Sequence, residues 1–186
     1  DLDGAIRDAT TMCIPTHHTD VAFSGAAAVA AGIAAALMPG STLLSVVDAA
    51  QYGAMKGYEI GKEMARVVSS PSMVERIKLA IQIAVSEPDF DKASKRLGEV
   101  VGCGLPIIET VPAAIGIFIA ARGDPNQAVL GAVNLGGDAD TVATIAGAIS
   151  GAYAGIDAVD LNLVERIESI NKIKVRSYAQ KLMDLI

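Results

Sequence analysis

The stretch Asn134-Leu135-Gly136-Gly137-Asp138-Ala139-Asp140-Thr141 (NLGGDADT) runs straight into VATIAGAISGAYAG, residues 142–155. Two carboxylates and a hydroxyl fall within the span 138–141, ahead of a segment with few polar side chains. Read as the start of a helix, Asp138 takes the N-cap, Asp140 the second helical position and Thr141 the third. An N-cap side chain projects over the open helix end, so all three oxygens can converge near the first turn. Gly136 and Gly137 let the backbone bend sharply and leave room for something to approach. The positive end of the helix dipole offsets one carboxylate but only part of two. A hard cation such as Mg²⁺ or Mn²⁺ would satisfy both acids and the hydroxyl. Three other readings stay open. The cluster could be an elaborate helix start, with Asp138 capping, Asp140 complementing the dipole and Thr141 bonding locally. It could be a DxDxT phosphatase-type nucleophile loop, although that loop should follow a strand. It could also be a metal-free acid and base pair of the glycosidase kind.

Working outward, helical patterns fill the chain. A short helix over DGAIRDATTM (3–12) ends before Pro15, and a longer one runs from Thr19 to Leu37, stopped by Pro39-Gly40. The pattern predicts a helix from Ser41 to Val68, with Glu59, Lys62, Glu63 and Arg66 on its wet face. Further helices follow over 69–87, 89–101 and 109–123, with Pro112 placed in a first turn and Gly123 beyond the end. Asp124-Pro125 opens another, Asp138 to about Gly155 the next, and segments 160–171 and 174–185 complete the chain. No stretch combines strand alternation with turn chemistry. The expected class is all-α, a compact multi-helix arrangement forming a single domain over 1–186.

Hydrophobic residues make up 52% and aromatics 4%, with no tryptophan, so the core must be built from Ala, Val, Ile and Leu. A net charge of −6 without a basic cluster argues against binding nucleic acid through its backbone. Cys13 and Cys103 form neither a disulfide framework nor a zinc pattern, and a reduced, cytoplasmic setting is expected. Residues 21–38 carry no charge, and Gly147, Gly151 and Gly155 form a tandem GxxxG array. A membrane span is not expected, because alanine is barely apolar enough and the second stretch begins on two aspartates. Close helix packing through small residues is the expected role of both.

NLGGDADTVATIAGAISGAYAG closely resembles the C-terminal signature of the ADP-ribosylglycohydrolase family, Gly-Gly-Asp-x-Asp-Thr before a small-residue helix. PTHHTDVAFSGAAAVAAGIAAAL (15–37) resembles the family's Thr-His segment and alanine-rich helix, and GCGLPIIETVPAAIGIFI (102–119) its glycine loop and Glu-Ser/Thr-Val-Pro helix. The three occur in the family's order. The resemblance implies an all-α fold with a two-metal centre, usually Mg²⁺ and in some members Mn²⁺. It implies hydrolysis of an ADP-ribosyl linkage in a modified protein or a related small molecule. By position, Asp138, Asp140 and Thr141 would be metal ligands, with Asp138 and Asp140 at the catalytic centre. His17 would contact ADP-ribose, while Gly102, Gly104 and Leu105 would line the nucleotide side and offer it backbone amides. His18, Cys103, Glu109 and Asp20 are expected to be structural or exposed.

The family's Thr-Asp-Asp-Thr motif has no counterpart here; His18-Thr19-Asp20-Val21 lacks the second acid. The expectation is therefore the C-terminal portion of such a hydrolase, completed by a missing N-terminal half or by another chain. The alternative is a non-catalytic ADP-ribose-binding or structural homologue that has lost half of the metal site.

Overall fold

A computed structural model describes residues 1–185, and they contain ten α-helices. These are α1 (Leu2–Cys13), α2 (Asp20–Ala36), α3 (Leu43–Met64), α4 (Met73–Ser86), α5 (Phe90–Val100), α6 (Ile107–Ala120), α7 (Pro125–Asn134), α8 (Ala139–Ala154), α9 (Leu161–Asn171) and α10 (Val175–Met183). Among the described residues the only extended pairing is an isolated bridge between Thr19 and Arg66. The all-α class is the one the sequence implies.

Local chemistry explains most helix starts. Thr19, Ser72, Asp89 and Asp124 each accept a first-turn amide, and Thr42 and Ser45 form a reciprocal capping box. Each such cap stabilises its helix by about 1 kcal/mol. Gly102 and Gly123 end α5 and α6 with φ of +88° and +80°. Gly123 donates back to Phe118 O at 3.0 Å, satisfying a carbonyl that the helix end leaves open.

The hub is α6, whose residues from Thr110 to Phe118 are all buried, so it is apolar on every side. It packs against α2, α4, α5, α7 and α8. Pro112 lies beyond the first turn expected for it, because α6 begins at Ile107 and runs on past it. Proline has no N–H, so Ile108 O loses its helical donor. Arg76 of α4 fills the gap, its Nε donating to Ile108 O at 3.4 Å while its Nη2 donates to Val101 O at the end of α5.

The closest helix pair is α2 with α3. A Cβ added at Gly53 would sit 2.3 Å from Ala27 O, one at Gly57 2.4 Å from Phe23 O, and one at Gly61 2.6 Å from Asp20 Cα. The glycine stripe of α3 thus lies on the backbone of α2. The GxxxG array in α8 does not play the part expected of it. Gly151 and Gly155 face open space, Gly155 ends the helix at φ +78°, and only Gly147 meets a neighbour, Val129.

The helix expected to reach Val68 stops at Met64. Asp20, only 2% exposed, explains this. Its N–H donates to Arg66 O, its Oδ1 accepts the N–H of Val68 at 3.1 Å and of Val21 at 2.9 Å, and Arg66 N–H donates to His18 O. These bonds pull 65–68 into an extended path across the start of α2. Beyond α8, the side-chain amide of Asn126 donates to Ala158 O and accepts the Asp160 N–H. That clip anchors the start of α9, but neither α9 nor α10 buries a residue fully.

Candidate functional site

Two glycine loops meet at the start of α8. Gly136 and Gly137 adopt φ of +78° and +60°, a region a side chain strains, and turn the chain from α7 into α8. Gly137 presses on the other loop: a Cβ there would lie 2.3 Å from Cys103 O. The Asp138 N–H donates to that same carbonyl at 2.7 Å, and Cys103 Sγ lies 3.6 Å from Leu135 O. The segment 102–104 and the NLGGDADT turn are therefore fastened together.

Asp138 occupies the N-cap position, with Asp140 and Thr141 second and third in α8, as the spacing predicts. The helix-start reading of Asp138 fails, however. Its φ of −86° and ψ of 53° are not those of an ordinary cap, and its carboxylate accepts nothing from the first turn. Among the described residues neither the Asp138 nor the Asp140 carboxylate has a hydrogen-bond or ion-pair partner, and the Thr141 hydroxyl makes no bond. The local hydroxyl bond belongs instead to Thr144, whose Oγ1 donates to Asp140 O at 2.7 Å. Both carboxylates and the hydroxyl are thus without a protein partner among the described residues, open to solvent or to an external group.

A groove of about 800 Å³ opens beside this cluster. His17, Leu105, Asp138 and Thr141 all line it, so four of the residues singled out by sequence reach one surface. His17 is held on its loop by its own N–H, which donates to Cys13 O at 2.8 Å. Asp140 is exposed and does not line the groove, although it sits in the same helical turn as Asp138. Gly102 and Gly104 do not line it either. Their amides are not free for a ligand: Gly102 N–H donates to Leu97 O and Gly104 N–H to Glu109 Oε2 at 2.9 Å. Leu105, by contrast, is 84% exposed at the edge. His18 stacks on Phe23 with ring centres 5.6 Å apart. Asp20 is structural, as expected.

The groove floor went unread in the sequence. Val21, Gly25, Val29 and Ile33 follow at four-residue spacing on α2, facing Ile107 and Val111 of α6 and Ile145 of α8. The signal was present as helical periodicity, but the surrounding alanines diluted it.

The donor set fits a hard divalent cation in kind, since all its atoms are oxygens and both acids are unengaged. It is incomplete in number. Among the described residues no group of three His, Cys, Asp or Glu side chains is placed to hold a metal. Burial, and secondarily the charge of Glu109, push the Cys103 thiol above the ordinary range, which disfavours the thiolate that a nucleophile or metal ligand needs.

The sequence profile of the ADP-ribosylglycohydrolase family matches residues 1–186. This chain belongs to the ADP-ribosylglycohydrolase family. Among curated proteins, the uncharacterized protein YegU of Escherichia coli (strain K12) is 33% identical over 183 residues, covering 98% of this chain and 53% of that protein. The human ADP-ribosylhydrolase ARH3 is 41% identical over 83 residues, covering 38% of this chain and 23% of that protein. An uncharacterized protein of Archaeoglobus fulgidus is 32% identical over 139 residues, 74% of this chain and 38% of its own length. The ADP-ribosylglycohydrolase chain described here thus spans about half the length of YegU and less of the other two. Among its described residues no helix is long and apolar enough to cross a membrane.

Proposed function

We propose that this chain is the C-terminal portion of a metal-dependent hydrolase that releases ADP-ribose from a modified protein or a related small molecule. The observation that carries the reading is that Asp138 and Thr141, with side-chain oxygens unengaged, line a groove shared with His17, with the unengaged carboxylate of Asp140 in the same helical turn. Its support in kinship is family membership and similarity to a protein named ADP-ribosylhydrolase.

Asp138, Asp140 and Thr141 would hold one side of a Mg²⁺ centre, with Mn²⁺ an acceptable substitute for the same donors. The chemistry such ions would supply is Lewis-acid orientation of an oxygen-rich substrate and a lowered pKa for a bound water. The protein's own part is placement. The Cys103 carbonyl fixes the Asp138 backbone, and Gly136 and Gly137 keep side chains away from the approach. His17 lines the same groove, where its imidazole would be able to hydrogen-bond a sugar or phosphate oxygen.

The apolar floor of the groove and the incomplete donor set point to the same partner. A second polypeptide segment would cover Val21, Val29 and Ile33 and bring further acids to the ions. Its source would be an N-terminal half of the same protein or a complementing chain. That no third His, Cys, Asp or Glu joins the two acids among the described residues also favours a second reading, a non-catalytic ADP-ribose-binding or structural homologue.

Calorimetric titration of ADP-ribose, with Mg²⁺ and then with EDTA, tests both. The complete protein is expected to bind in Mg²⁺ and to lose binding in EDTA, whereas the 186-residue chain alone is expected to show no hydrolysis. Binding that ignores EDTA would reject the metal centre. Metal-dependent binding without release of ADP-ribose from ADP-ribosylated arginine or serine would select the second reading.

A further inference from the structure

Glu109 opens α6 at its third helical position, and helix capping alone would account for an acid there. Its carboxylate does something more particular. Oε2 accepts the Gly104 N–H at 2.9 Å, and the loop is folded closely around it. A Cβ at Gly102 would lie 2.5 Å from Oε2, and one at Gly104 2.9 Å. A side chain at either glycine would displace this carboxylate from its place, and Gly102 is also favoured by its φ of +88°. The next residue in the chain of contacts is Cys103, between them. Its carbonyl accepts the Asp138 N–H at 2.7 Å, with Gly137 pressed against it. Asp138 O accepts the Val142 N–H at 3.1 Å as the first bond of α8, and among the described residues the Cys103 carbonyl is its one hydrogen-bond partner outside that helix.

We infer that Glu109 is a positioning residue: by holding Gly104 it fixes the loop whose Cys103 carbonyl sets the place and direction of Asp138. The inference rests on the reading of Asp138 as a metal ligand. Glu109 itself does not line the groove, so it acts through the loop and not on the substrate. A charged acceptor suits this task, since a carboxylate binds an amide more strongly than a neutral acceptor does. The backbone-to-backbone contact then carries the constraint to α8 without a side chain that could relax.

The test compares E109A and E109Q with the unaltered protein, using amide hydrogen exchange at Asp138 and Mn²⁺ titration. E109A is expected to speed exchange at Asp138 by about tenfold or more and to weaken Mn²⁺ binding by about 10–100-fold, the range for lost outer-shell support. E109Q keeps an oxygen acceptor and is expected to restore most of the Asp138 protection. If E109A does not fold, the E109Q amide shifts at Gly104 and Asp138 decide: both should move, and the inference falls if only Gly104 does. Asp138 protection unchanged in a folded E109A, with only the first turn of α6 loosened, overturns the inference. If the unaltered protein takes up no Mn²⁺, the metal-ligand reading fails, while the exchange result still decides whether Glu109 positions Asp138.

Discussion

Replacing Asp138 and Asp140 together by Asn is expected to lower ADP-ribose release by the complete protein by about a thousandfold or more, the equivalent of roughly 4 kcal/mol in the transition state. The same change should leave folding stability within about 0.5 kcal/mol, the usual range for a surface substitution without a structural partner. The two expectations come from one observation: neither carboxylate accepts a hydrogen bond or joins an ion pair among the described residues. Asn keeps the shape of Asp but loses the charge that a hard cation requires. Two opposing small terms remain for the fold. Relief of repulsion between the acids favours the variant, and loss of the favourable helix-dipole contact at Asp140 disfavours it. Turnover and Mn²⁺ titration, with a thermal melt on the same samples, separate function from folding. Unchanged turnover would sink the metal-centre proposal, and a large loss of stability would show that the acids serve the fold.

Gly57→Ala should destabilise the protein by about 3 kcal/mol, the upper part of the range for overpacking a core. For a domain of this size that corresponds to a melting temperature lower by roughly 6–12 °C. Alanine is ordinarily the better helix former by up to about 1 kcal/mol, so propensity predicts the opposite sign. Geometry overrides it. The new methyl would lie 2.4 Å from Phe23 O and 2.6 Å from the Ala27 side chain, and neither backbone nor Cβ can rotate away. The helices must separate, which opens gaps at Gly53 and Gly61 as well. Gly151→Ala provides the control, since nothing lies within 4 Å of that site and the gain in propensity should appear unopposed. Urea denaturation of the two variants decides the matter; similar effects from both would refute the close-packing argument.

The contrast between those two glycines shows how far the sequence could be read. The helix starts at Thr19, Asp89 and Asp124 were legible because these residues act on amides three residues or fewer away, whereas α4 begins at Met73, capped by Ser72, and not at the Ser70-Pro71 pair that the sequence suggests. The end of α3 was not legible, because it is set by Asp20, a residue distant in sequence that draws Val68 and Arg66 off the helical path. Small-residue spacing was visible in α8, yet the array that matters lies in α3, where Met55, Tyr58 and Ile60 between the glycines obscure it. At the site, spacing was enough to bring Asp138 and Thr141 to one groove, which His17 and Leu105 also line. The amides of Gly102 and Gly104 were a different matter. Whether an N–H is free depends on what folds back to meet it, and Glu109 does so for Gly104.

The glycine stripe between α2 and α3 also bears on the order of events as the chain folds. The two helices are joined by the short connection 37–42, so bringing them together closes only a small loop. The entropy of closure is therefore low, and the contact can form before segments distant in sequence have met. The joining of residues 102–104 to 136–138 spans a longer stretch of chain and depends on α6 being in place. In this order α2 and α3 dock first and present an apolar face. By the same measure the docking of α2 on α8, which lie further apart in the chain, is expected after both, so the groove that these two helices share is expected to be the last part of the candidate site to form.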